Sequence, residues 1–170
     1  MTVKVGIFGG AFDPPHVGHN SCIEFALGSK VRCDRIFVIP SGDRPDKPNQ
    51  SPYSQRLELA QIAFQPYGKV FVGQWESPEH RQGSTFTYDT VMLLKKLYPT
   101  WDFHLIIGKD NEKSLASWHR GEELLKELAG TIVVPRTVVN STAIRKSPRD
   151  YSDQLNPLVL RIIQQKRMYK

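Results

Sequence analysis

The chain has 170 residues, 39% of them hydrophobic, which is enough for one well-buried core and short for two. Lys and Arg number 23 against 17 Asp and Glu, giving a formal charge of +6 and a pI near 9.4, a balance that favours phosphorylated or polyanionic partners without choosing among them. No apolar run approaches the ~18 residues of a membrane span, and the first residues form a strand pattern with no basic and apolar leader, so a cytoplasmic protein without membrane association is expected.

Short β-rich runs recur at Val3–Phe8, Arg35–Ile39, Lys69–Trp75, Asp102–Ile107 and Thr131–Val134, with helical patterns in most of the gaps. That alternation predicts βαβ units and an α/β fold: a Rossmann-like, doubly wound parallel sheet of about five strands flanked by helices, as a single domain over 1–170. The first helix carries Cys22, Ile23, Ala26 and Leu27 at helical spacing and stops near Gly28. The second starts with Ser51 as N-cap and Pro52 as first helical residue, and presents Leu57, Ala60 and Phe64. A third, near Tyr88–Tyr98, buries Val91, Leu94 and either Leu97 or Tyr98 before Pro99 ends it. A short helix near Asn111–Ser117 is followed by another at Gly121–Leu128. Within a C-terminal helical segment of about 141–170, Asn156 and Pro157 cap a last helix anchored by Leu160 and Ile163. Cys22 and Cys33 fit neither a metal pattern nor a disulfide framework and read as free thiols.

Neither GxGxxG nor GxxxxGK[ST] occurs, so a phosphate site must be built another way. Gly9-Gly10-Ala11-Phe12-Asp13-Pro14-Pro15-His16-Val17-Gly18-His19 supplies one, directly after the first strand. Its glycines let backbone approach a ligand, its prolines stiffen the start of a helix, and that helix's first N–H groups attract anions. His16 and His19, three apart, share one face of the first turn. In open parallel sheets ligands lie beyond the carboxyl ends of the strands. Four polar segments collect there: Gly9–His19, Ser41–Lys47, Gly108–Trp118 and Asn140–Arg145.

Gly9–His19 resembles the (H/T)xGH signature of the nucleotidyltransferase superfamily, in its HxGH form. Ser141-Thr142-Ala143-Ile144-Arg145 is similar to that superfamily's SSTxIR motif, with Asn140 in place of the first serine. Arg81-Gln82-Gly83-Ser84-Thr85-Phe86-Thr87-Tyr88-Asp89-Thr90 resembles the R-x-G-x-S-Y-T-x-D-T segment of bacterial nicotinate-nucleotide adenylyltransferases, and Ile107-Gly108-Lys109-Asp110-Asn111 followed by Trp118 resembles their IGxD…W segment. The likeness runs from about Val3 to Tyr169.

The resemblance implies that ATP and nicotinate mononucleotide bind side by side, and that the mononucleotide phosphate attacks the α-phosphorus of ATP. Nicotinate adenine dinucleotide and pyrophosphate result, without a covalent enzyme intermediate. Such chemistry rests on positioning and electrostatics. His16, His19 and Arg145 would act on the transferring phosphoryl group. Gly9, Gly10, Phe12, Gly108, Asp110, Ser141 and Thr142 would complete the ATP site, with Asp110 on the ribose. Trp118 would stack on the pyridine ring, Thr85 would meet its carboxylate or amide, and Lys47 would stand for the lysine of a PPHK motif, although Asp46 replaces its histidine. Mg²⁺ would be held largely by phosphates and water, with no protein metal ligands expected. Oligomers are compatible with this reading.

Taken singly, several of these residues have plainer explanations. His19 continues the row through Ile23 and Ala26 as a core histidine would, Trp118 would suit a core, and Asp110 a helix cap. His16 beside His19, and the Gly-Lys-Asp ahead of Trp118, turn the reading toward a ligand. Asp13 reads as a scaffold residue stabilising its own turn through Asx bonds, and Arg56 and Asp89 as ion-pair or cap residues. The rival acceptors are nicotinamide mononucleotide and phosphopantetheine. A basic nucleic-acid-binding module would explain the charge but not HxGH and STxIR together, and no KMSKS-like partner supports an aminoacyl-tRNA synthetase.

Overall fold

The computed structural model describes residues 1–42 and 51–169. Five strands, β1 (Lys4–Gly10), β2 (Arg35–Pro40), β3 (Val70–Val72), β4 (Asp102–Gly108) and β5 (Gly130–Val134), form one parallel sheet in the order β3-β2-β1-β4-β5. The chain starts in the middle, winds outward through β2 and β3, then returns to place β4 on the other side of β1. The strand order therefore reverses between β1 and β4, and a crevice opens beyond their carboxyl ends.

Alternating side chains commit the sheet to two buried faces. Phe8, Ile36, Val38, Ile106, Ile132 and Val134 pack with α1 (Val17–Gly28), α2 (Tyr53–Phe64) and, from later in the chain, α6 (Ser141–Lys146) and α7 (Pro157–Gln165). Val5, Ile7, Phe37, Ile39, Phe103, Leu105 and Ile107 pack with α3 (Thr87–Leu97) and α5 (Gly121–Glu127). α4 (Lys109–Glu112) is a single turn, and residues 115–117 form a separate turn of 3-10 helix, so the helix expected over Asn111–Ser117 is broken in two. Among the described residues no helix is long and apolar enough to cross a membrane. Cys22 and Cys33 are both free.

Several boundaries shift by a residue or two from those expected, and two of the differences have an evident structural setting. β3 ends at Val72, because the ring of Trp75 folds back over Gly73, where a Cβ would lie 1.9 Å from the indole, and stacks toward Phe37. The first residue of α2 is Tyr53 with Pro52 as its N-cap, one residue later than expected, and the N–H of Ser51 is held by Asp13. At the end of α3 Leu97 is exposed while Tyr98 stacks on Trp101, which settles the expected choice between them. α7 begins as expected, with Asn156 Oδ1 accepting from the Leu158 N–H at 2.8 Å.

Candidate active site

β1 ends in Gly9 and Gly10, and the chain turns through Phe12, at φ 50°, toward α1. The ring of Phe12 is buried edge-on between Phe64 and Phe8 and backs the imidazole of His19, so only its backbone is left to face a ligand. His16 is the extended N-cap of α1. Its carbonyl accepts from His19 and Asn20, while the N–H groups of Val17 and Gly18 have no partner within the helix.

The two imidazoles stack with centroids 3.8 Å apart, and the backbone N–H of His16 donates to His19 Nδ1 at 3.2 Å. That bond places the proton of a neutral His19 on Nε2, where it is a donor. Burial holds His16 down at about 4 and, with the neighbouring His16, holds His19 well below the ordinary histidine range. Both rings are thus neutral at neutral pH. Nδ1 of His16 is buried without a hydrogen-bond partner. Gly18 lets the pair exist: a Cβ there would stand 2.8 Å from Thr137 Oγ1 and 3.0 Å from the His16 ring.

This burial has a pH signature. Between pH 6.5 and about 4 an unfolded chain takes up a proton that folded His16 refuses, so stability falls as pH drops through that window. From the two pKa values the loss at pH 5 is on the order of 2 kcal/mol. Thermal denaturation at pH 7 and pH 5 should show a larger fall in Tm for the wild type than for His16→Asn; equal falls would mean that the buried imidazole is not the cause.

Ser141 and Arg145, on α6, reach the first loop directly. Ser141 Oγ donates to the Pro14 carbonyl at 2.9 Å, and Arg145 Nη1 donates to the Asp13 carbonyl at 2.7 Å while Nη2 meets Thr142 Oγ1 at 3.3 Å. Asn140 caps α6, its Oδ1 accepting from Ala143 N–H at 2.8 Å. Asp13 is a scaffold residue as expected, but it ties distant segments instead of its own turn. Oδ2 accepts from Ser51 N–H at 3.0 Å and Oδ1 from Tyr169 Oη at 2.6 Å. Arg56 is structural too. Its guanidinium donates to the carbonyls of Ala11, Ser41 and Ser51, tying Ser41 and Ser51 to the turn after β1.

Beside this cleft a cavity of about 370 Å³ opens at the ends of β1, β2 and β4. Gly9, Gly10 and Ser41 line one side, Thr85, Phe86 and Thr87 another, and Trp118 and His119 a third. Trp118 is half-buried, packed partly on the core and partly against the cavity; His119 stacks on Phe86 at 4.2 Å. Thr87 is the first residue of α3, whose opening N–H groups lie at the same wall.

Most of the expected site residues therefore converge: Gly9, Gly10, Thr85 and Trp118 in the cavity, and His16, His19, Ser141, Thr142 and Arg145 around the loop between β1 and α1. Gly108 closes β4, and Asp110 is exposed on the first turn beyond it, outside the cavity lining. Lys47 and Asp46 lie outside the described residues. Three residues went unread. Glu76 is a buried carboxylate in the cavity wall with no motif around it. Thr87 was legible, since R-x-G-x-S-Y-T-x-D-T written onto Arg81–Thr90 puts the motif threonine at 87 and its serine at Thr85. Tyr169 had no sequence signal linking it to Asp13.

The chain was compared with known proteins. The cytidylyltransferase-like family model matches residues 7–165. A relative from Albidiferax ferrireducens, named a probable nicotinate-nucleotide adenylyltransferase, is 40% identical over 124 residues, 72% of this chain and 61% of its own. The Bacillus subtilis nicotinate-nucleotide adenylyltransferase is 34% identical, with 87% of this chain and 89% of that one aligned. A crystal structure from Vibrio parahaemolyticus, assigned to the same activity, superposes with TM-score 0.81 at 26% identity over 99% of this chain and 96% of its own. The chain spans less than two thirds of the length of several curated relatives that it matches, 56–66% in four of them. The matched family, the relative aligned nearly end to end and the shared fold agree with the paired motifs at the switch point: the chain belongs to the cytidylyltransferase-like family, among the nicotinate-nucleotide adenylyltransferases.

Proposed function

We propose that this chain transfers the adenylyl group of ATP to nicotinate mononucleotide, forming nicotinate adenine dinucleotide and pyrophosphate on the route to NAD. The observation that carries this reading is the docking of Ser141 and Arg145 onto the carbonyls of Asp13 and Pro14, which joins two phosphate-binding motifs at one end of the sheet, beside a cavity with an indole wall. The names of the relatives point the same way.

In this reading an oxygen of the mononucleotide phosphate forms a bond to the α-phosphorus as the bond to the pyrophosphate oxygen breaks in line. Charge spreads over the α-phosphoryl oxygens. The N–H groups of Val17 and Gly18, His19 Nε2 and the unused N–H groups of Arg145 are the donors that would meet it. Mg²⁺ would arrive with ATP as part of the substrate and would offset phosphate charge there. Asp110 takes the adenosine ribose, Lys47 the phosphates, and Trp118 the pyridine ring. The ring's carboxylate lies toward the start of α3, with Thr87 and Thr85 beside it. A cytoplasmic setting suits the two free thiols.

The test is pyrophosphate release from Mg·ATP with nicotinate mononucleotide, nicotinamide mononucleotide and phosphopantetheine in turn. Release with the pyridine nucleotides, and not with phosphopantetheine, is expected; the reverse order would overturn the reading. Trp118→Ala should raise KM for the mononucleotide about tenfold or more while KM for ATP changes little, since stacking of this kind contributes about 1–3 kcal/mol per ring. Equal effects on both substrates would return Trp118 to the core.

A further inference from the structure

Glu76 sits in the wall of the cavity, 8% exposed, and among the described residues every hydrogen bond it makes is one it accepts. Oε2 accepts from Thr85 Oγ1 at 2.7 Å and from Gly42 N–H at 3.1 Å; Oε1 accepts from Thr90 Oγ1 at 2.8 Å. Arg81 Nη1 donates to Thr90 Oγ1 at 2.8 Å. A guanidinium cannot accept, so the Thr90 oxygen accepts from Arg81 and directs its own proton to Glu76 at 2.8 Å, with the Phe86 carbonyl a longer second acceptor at 3.2 Å. Thr85 is fixed more tightly still. Its single hydroxyl proton points at the carboxylate, and its oxygen can offer a ligand only lone pairs.

We propose that Glu76, acting through Thr85, sets the choice between an acid and an amide on the pyridine ring. The inference rests on the pyridine-mononucleotide reading above. A carboxylate has no proton to give Thr85 and is repelled by a carboxylate behind it, whereas a carboxamide N–H can donate to the Thr85 oxygen. The N–H groups at the start of α3 favour the acid. The two effects oppose each other across one cavity, so Glu76 tempers the preference for the acid that the start of α3 sets. Glu76 is a positioning residue: it orders the proton of Thr85 and contributes its charge, while Thr85 makes the contact. Gly42 belongs to the same device, because a Cβ there would stand 2.4 Å from the Glu76 carbonyl and 2.9 Å from Thr85.

The decisive quantity is the ratio of kcat/KM for nicotinate mononucleotide to that for nicotinamide mononucleotide at fixed Mg·ATP, because loss of folded enzyme cancels in it. In Glu76→Gln the new amide can donate to Thr85 Oγ1, freeing the hydroxyl proton for the ligand and removing the charge. The ratio should rise about tenfold or more, through a lower KM for the acid and a higher KM for the amide. Thr85→Val, which deletes the lone pairs and leaves Glu76 in place, should move the ratio the same way and serves if Glu76→Gln fails to fold. An active wild type whose ratio is unchanged or lowered in the folded variants would overturn this inference alone. A wild type that turns over neither nucleotide would overturn the underlying reading, and this inference with it.

Discussion

Replacing His16 or His19 by Ala is expected to lower kcat by on the order of 10²-fold or more, with a much smaller change in KM. The reason lies in what the site holds fixed before substrate arrives. His19 Nδ1 is occupied by the backbone N–H of His16, its ring is braced by Phe12 and Phe8, and its Nε2 proton is left as a directed donor. His16 lies face to face with it and carries a buried Nδ1 with no partner. In the proposed reaction such groups would meet the charge that develops at phosphorus and would contribute little to ground-state binding. Alanine at either position also removes one face of the stack, so the two variants should combine less than additively. Steady-state kinetics on both single variants and the double variant measure this. Turnover close to wild type in either single variant would remove that histidine from the chemistry.

Arg145→Lys should cost a comparable 10²-fold in kcat despite conserving charge. Arg145 spends one nitrogen on the Asp13 carbonyl and another on Thr142, and its remaining N–H groups are those the proposed reaction would place on a phosphate, so that its planar fork would serve scaffold and ligand together. A lysine ammonium placed to bind phosphate would release Asp13, and one placed on Asp13 would leave the phosphate. The loss should appear in kcat, with Tm lowered only slightly because the guanidinium is half-buried at the surface. Lysine within about threefold of wild type would show that charge alone suffices and that the fork geometry is irrelevant.

Much of this architecture could be read before any coordinates. The alternation of β-rich and helical runs carried the sheet, since a strand buried on both faces and a helix with one apolar face leave different periods in the sequence. Asn156-Pro157 and Asn140 announced their helices because capping is local chemistry. Gly9–His19 and Ser141–Arg145 could be identified as partners, but not how they touch. The contacts run through main-chain carbonyls of Asp13 and Pro14, which leave no trace in residue identity. The same holds for Asp13, which looks like a local turn residue and is in fact the meeting point of Ser51, Arg145 and Tyr169. Glu76 was hidden for a different reason. It lies beyond a strand that ends early, in a turn whose course is fixed by the Trp75 ring crossing Gly73, and nothing periodic points to a lone carboxylate there. Arg56, read as an ion-pair or cap residue, also holds three main-chain carbonyls that no spacing rule connects.

Direct adenylyl transfer between two nucleotides held at the β1–β4 switch point can be followed with ATP labelled at the α-phosphorus, mixed with Mg²⁺, nicotinate mononucleotide and the protein. Label should pass into a dinucleotide in step with pyrophosphate release, only when the mononucleotide is present, and never onto the protein. Label recovered on the protein, in free AMP, or unchanged in ATP while the mononucleotide is saturating would contradict it.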